Sequence, residues 1–128
     1  MVAPQPCPCN SSRPYDTCCG RWHAGEPAPT AETLMRSRYA AFVLQDERYL
    51  LATWHVSTRP ASVPFESAQK WLGLRIVDVR DTGSDTAEVE FIARYRVGGG
   101  SAARLHERSR FVRESGRWFY LNGDLRMT

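Results

Sequence analysis

Lysine is almost missing from this chain: of 17 basic residues only Lys70 is a lysine. An arginine bias of that kind follows from a GC-rich coding sequence as readily as from a nucleic-acid footprint. An excess of one charge is also lacking. The formal charge is +3, too small for strong long-range attraction to polyanions, so DNA is not an expected partner. No run approaches the roughly 20 apolar residues needed to cross a bilayer, which argues against a membrane partner. Residues 1–9 show no basic cluster followed by an apolar stretch. No secretory signal is therefore visible, and a cytoplasmic location is expected. The redox spacing C-x-x-C is absent, and beyond residue 19 there is no cysteine at all.

What is present falls into two parts. Residues 1–26 hold all four cysteines, with much Pro, Gly and Ser and few apolar side chains. Such a segment cannot bury a core and needs a staple. Residues 25–29 (Gly-Glu-Pro-Ala-Pro) read as a stiff linker, because prolines fix φ and restrict the residues before them. The remainder, 27–128, has the composition of one globular domain.

The cysteine segment runs Cys-Pro-Cys, eight residues of loop, then Cys-Cys-Gly. Cys7, Cys9, Cys18 and Cys19 can surround one tetrahedral ion, and such a closed shell leaves no open position for water, so one structural Zn²⁺ is expected. Disulfides fit a reducing compartment poorly, and an iron–sulfur centre fits such crowded spacing less well than zinc. His23 stands as an alternative to Cys19 for the fourth ligand. Four thiolates and one Zn²⁺ would lower the formal charge to about +1.

In the body, Thr30 is placed to cap a helix carrying Leu34, Met35, Tyr39, Phe42 and Val43 at helical spacing. A second short helix is expected over 46–53, a loop over 57–64, and one or two helical turns over 67–72. The period then changes to two, predicting strands over 75–80, 87–97, 104–114 and 117–122 with glycine turns between. Helices first and a meander afterwards give an α+β domain, helices on one face of an antiparallel sheet.

On the third strand Leu105, Glu107, Ser109 and Phe111 share a face. If that face is inward, Glu107 needs a partner, with His55, Arg36, Arg38 or Arg59 available. Trp54, Trp71, Tyr95, Trp118 and Tyr120 could line a small-molecule pocket around Glu107 and Ser109. A His55–Glu107 pair could do general acid–base work. The plainer alternatives are a Glu–Arg anchor between helix and sheet, and tryptophans that simply fill the core. His106 falls on the opposite face, where exposure is expected.

The N-terminal segment resembles the SEC-C motif, best known from the tail of the SecA translocation ATPase. Cys7, Cys9, Cys18 and Cys19 match it position by position, with Pro8, Ser11 and Tyr15. Asn10 and Ser12 stand where glycine is commoner. The runs 28–39, 49–55, 71–74, 106–111 and 116–120, with Arg59-Pro60 and Gly123-Asp124, resemble the YchJ-like bacterial family. That resemblance implies a nuclear-transport-factor-like (NTF2-like) body, a curved antiparallel sheet wrapped by helices into a cone, and implies no known reaction. Three functions are carried forward. One is a non-enzymatic module whose knuckle contacts a protein or ribosomal partner and whose cone holds a small ligand. The second is a small hydrolase or isomerase using the cone interior. The third is an RNA-binding knuckle using Arg13, Arg21 and Trp22.

Overall fold

The computed structural model describes residues 5–126, so the outermost ends of the two expected parts, 1–4 and 127–128, lie outside the described residues. A 3₁₀ turn at Tyr15–Thr17 and helix α1 (Cys19–His23) belong to the cysteine segment. Helices α2 (Ala31–Leu44) and α3 (Glu47–Ala52) follow, then strands β1 (Gln69–Asp81), β2 (Thr86–Val97), β3 (Ala103–Glu114) and β4 (Arg117–Leu125). The architecture is the expected α+β one, with a curved, unclosed antiparallel sheet in the order β1-β2-β3-β4.

Local chemistry explains the helix ends. The Thr30 side chain accepts from the Thr33 N–H, and the Asp46 side chain accepts from the Tyr49 N–H. Both satisfy donors that a helix start leaves open. The main core forms where Leu34, Met35 and Tyr39 of α2 meet Leu74, Val89, Phe91 and Phe111 of the sheet. A second cluster joins the four cysteines to Ala40, and a third joins Ala41 to Leu50 and Val63. Three clusters thus meet on α2, which explains why Ser37, Arg38, Ala40 and Ala41 are buried beside its apolar stripe.

Three expectations need correction. Residues 67–72 make no helical turn, because β1 begins at Gln69 and pairs Gln69 with Val97 and Trp71 with Tyr95. The strand is 13 residues long rather than the six expected over 75–80. Bulges at Leu72 and Val77 break its alternation and add bend to the sheet. The 25–29 segment is also more than a linker, since Ala28 is buried in the main core.

Candidate metal centre and cone cavity

The knuckle is a tight double turn. Pro6 and Pro14 bridge its two arms, the Cys7 N–H donates to Arg13 O (2.8 Å), and the Tyr15 N–H donates to Gln5 O (2.8 Å). Asn10 (φ 65°) and Ser12 (φ 68°) turn the chain through the left-handed region. These are the two positions where the SEC-C pattern favours glycine, and the geometry supplies the reason. The 3₁₀ turn then delivers Cys18 and Cys19 to the same point. Gly20 is required beside them, because a Cβ there would lie 2.8 Å from Tyr15 O.

All four cysteines are buried and unpaired by disulfides, and their Sγ atoms lie within 4.8 Å of one another. Cys9 and Cys18 Sγ are 3.6 Å apart, close to the edge of about 3.8 Å expected for a tetrahedron of Zn–S bonds. The cluster could hold a metal ion. The thiols also bind their protons unequally. Hydrogen bonds from Cys19 and then Cys7 drive the Cys9 thiol far down, while contact with Cys7 and Cys9, with burial, drives Cys19 far up. For Cys7 a lowering contact from Cys19 is outweighed by Cys9 and burial, and its thiol is pushed up to about 11.

His23 is occupied elsewhere. Its Nε2–H donates to Ser37 O (2.8 Å), which leaves Nδ1 as the acceptor for the Tyr15 hydroxyl (2.6 Å). Its ring meets Tyr49 edge-on at 4.6 Å. The histidine bolts the knuckle to the body, and neither nitrogen is left to complete a metal shell. A second bolt runs from Arg36, held by Glu32 at 3.1 Å, whose Nη1 donates to Cys9 O (3.0 Å).

Below α2 lies a cavity of about 260 Å³ between helix and sheet. Its walls are apolar and aromatic, including Tyr39, Phe42, Trp54, Trp71, Leu74, Phe91 and Leu105. Arg38, Glu107, Ser109 and Tyr120 form its polar end. Glu107 Oε2 accepts from Ser109 Oγ (2.6 Å) and the Tyr120 hydroxyl (3.3 Å). The carboxylate lies over Gly123, where a Cβ would sit 2.8 Å from Glu107 Cδ. Burial, then the Glu107 charge, raises the Tyr120 phenol well above its usual range, and burial pushes Arg38 down to about 10.

Both halves match family models. Residues 30–123 match the YchJ middle NTF2-like domain, and residues 4–21 match the SEC-C motif. The chain belongs to the YchJ-like family. A UPF0225 protein of Methylibium petroleiphilum is 61% identical over 127 residues, covering 96% of this chain and 90% of that one. Another from Xanthomonas campestris pv. campestris is 56% identical over 119 residues, covering 91% and 92%. Among solved structures, a SEC-C motif protein from Rhodopseudomonas palustris superposes with a TM-score of 0.85 at 35% identity, over 96% of this chain and all of that one. One from Psychrobacter arcticus gives 0.78 at 27% identity, over 99% and 85%.

Within this YchJ-like body the remaining candidates separate. Trp54, Trp71, Glu107, Ser109 and Tyr120 meet at the cavity. Tyr95 lies behind Trp71, at 5.7 Å between rings. Trp118 lines a different groove, between the 24–28 segment and β4. His55 does not approach Glu107: its Nε2 is 2.9 Å from Glu114 and its Nδ1 is 2.7 Å from Ser57. The expected His55–Glu107 pair is absent because the backbone at 54–55 bridges the free edge of β4 and sets the ring outside the cone. Arg36 serves the knuckle, and the Arg59 Nε–H donates to Trp54 O (2.9 Å). His106 does face away from the cavity, but it is half-buried rather than exposed, 2.7 Å from Glu90 in a network where Arg108 holds Asp78, Glu88 and Glu90. The residue that sequence reasoning underweighted is Arg38, named only as one of four partners for Glu107. Its signal was a position four residues after Leu34, on the buried stripe of α2.

Proposed function

We propose that this chain is a zinc-stapled binding module of two parts joined at residues 25–29. In this reading Cys7, Cys9, Cys18 and Cys19 hold one structural Zn²⁺, the outer loop of the knuckle contacts a protein or ribosomal partner, and the cone holds a small uncatalysed ligand. The observation that carries it is the closed shell: four buried thiols converge on one point, and among the described residues no further His, Cys, Asp or Glu joins them. Free thiols in such a shell suit a reducing compartment, which supports a cytoplasmic location. The hydrolase or isomerase reading loses its histidine, since His55 is tied to Glu114. The RNA reading is weakened at its stacking surface, because Arg21 lies over the Trp22 ring at 4.6 Å and is itself held by Glu26.

The test is metal analysis of reduced protein and two variants. The parent carries about one equivalent of Zn²⁺. Cys19→Ala opens the shell to water and loses most of the metal, whereas His23→Ala keeps it and loosens only the joint with α2. Zinc-free parent protein overturns the reading. Metal loss from His23→Ala with retention in Cys19→Ala overturns the ligand set.

A further inference from the structure

The polar end of the cone cavity holds two opposite charges that do not touch. Arg38 is 3% exposed. Its hydrogen bonds run through Nη1 alone, to Leu50 O (2.8 Å) and Thr53 Oγ1 (2.7 Å). Its guanidinium is packed against the Tyr120 ring (4.6 Å) and the Trp54 ring (5.1 Å). Among the described residues Nε and Nη2 have no hydrogen-bond acceptor, and no carboxylate reaches ion-pair distance of Arg38. Glu107 lines the same cavity with Oε2 engaged by Ser109 and Tyr120, and Oε1 accepts from no described residue. A buried cation with unfilled donors thus shares one cavity with a carboxylate that keeps an unfilled acceptor. Neither is among the fully sealed polar atoms of the described residues, so solvent reaches both from the cavity, and a molecule that pairs both takes the place of that water.

Resting on the cone-ligand reading above, we infer that the cavity takes a small, planar, uncharged molecule whose adjacent acceptor and donor bridge Arg38 and Glu107, an aromatic carboxamide or lactam in chemical class. Charge argues for neutrality. The guanidinium and the carboxylate already cancel, so an anion is repelled by Glu107 and a cation by Arg38 at short range in low dielectric. Shape argues for a ring, since Trp54, Trp71, Tyr39 and Phe42 offer aromatic faces and edges. Size suits a single ring. A volume of about 260 Å³, at about 30 Å³ for each water-sized atom, holds roughly nine non-hydrogen atoms. Arg38 donates to the ligand carbonyl while Glu107 Oε1 accepts the ligand N–H.

Three isosteres separate the possibilities: benzamide carries acceptor and donor, benzoate is an anion with acceptors only, and benzamidine is a cation with donors only. Toluene serves as a fourth probe that can report the cavity without its polar end. Each is titrated into the zinc-loaded full-length protein and followed by amide shifts at Ser109 and by the indole signals of Trp54 and Trp71. Benzamide is expected to bind at least about tenfold more tightly than the other three. In Glu107→Gln, which keeps the shape but removes the negative charge, benzoate is expected to gain about tenfold over its affinity for the parent. Benzoate or benzamidine matching benzamide in the parent overturns the inference. Toluene binding as well as benzamide overturns it too, while leaving the cone as a ligand site. If none of the four shifts these signals, the inference and the cone reading fail together.

Discussion

Glu107 sits where a carboxylate is expensive unless something holds it. Ser109, fully buried beside it, donates its hydroxyl proton to Oε2, and Tyr120 donates a second hydrogen bond. Glu107→Ala therefore strands the Ser109 hydroxyl and should cost about 1–3 kcal/mol. Glu107→Gln keeps an acceptor oxygen and should cost less than about 1 kcal/mol. Urea unfolding of the two variants measures both. A Glu107→Ala protein as stable as the parent would show that these contacts carry no net stability. The residue was legible because β3 keeps a clean alternation, with the bulge of the β3–β4 pair placed at Leu121 on the partner strand. Its true neighbours were not legible. Which of four cations lay nearby depended on where α2 crossed the sheet, and on a hydrogen bond between neighbours on one strand that alternation alone does not reveal.

At the scale of elements, α2 is the joint of the molecule. One side carries Arg36 and Ala40 against the knuckle, another carries Met35, Arg38 and Tyr39 against the cavity, and a third carries Ala41 against α3. The Tyr49 hydroxyl donates to Ser37 Oγ (2.7 Å), whose own proton goes to Leu34 O, so α3 and the His23 bolt meet at the same helix turn. If the cysteine cluster holds the proposed Zn²⁺, stripping it should therefore do more than loosen the N-terminus. With a chelator present, amide exchange should lose protection across residues 5–24 and weaken over the α2 turn at 36–40, while β2 and β3 stay protected. Loss of protection in β2 and β3 as well would show that the sheet itself depends on the metal. The helices were readable from their caps and spacing. β1 was not, because its two inserted residues shift the inward face twice within 13 positions, and Ala-Gln-Lys-Trp-Leu contains good helix formers that strand pairing overrides.

For the whole molecule, three phenols stand out. Burial is the leading cause that raises Tyr39 and Tyr49 to about 12, and Tyr120 is raised further in the same direction. An unfolded tyrosine ionises near about 10. The folded state thus holds protons that the unfolded chain releases, and these groups contribute stability below about pH 10 that is lost as pH rises toward 12. Arg38, depressed to about 10, works in the opposite sense across the same range. Burial raises Tyr15 in the same direction, so the phenols outnumber Arg38, stability should fall in this window, and phenolate absorbance should appear together with unfolding. Phenolate signals from all tyrosines while the protein stays folded would contradict the burial argument.

The splice between 53–55 and β4 has a kinetic side. Each strand of the sheet pairs only with its sequence neighbour, and the knuckle closes between residues 7 and 19. Both assemblies are cheap in chain entropy and can form as soon as their residues are available. The Thr53, His55 and Thr58 hydrogen bonds to Tyr120 and Leu121 are different, since they join segments more than 60 residues apart. During synthesis the cysteine cluster can be complete while β4 has yet to emerge, and the cone cannot be completed until the last strand arrives. Until then Arg38 has no Tyr120 to lie against and Glu107 lacks one of its two hydrogen-bond donors. The polar end of the cavity is therefore the final thing this chain builds.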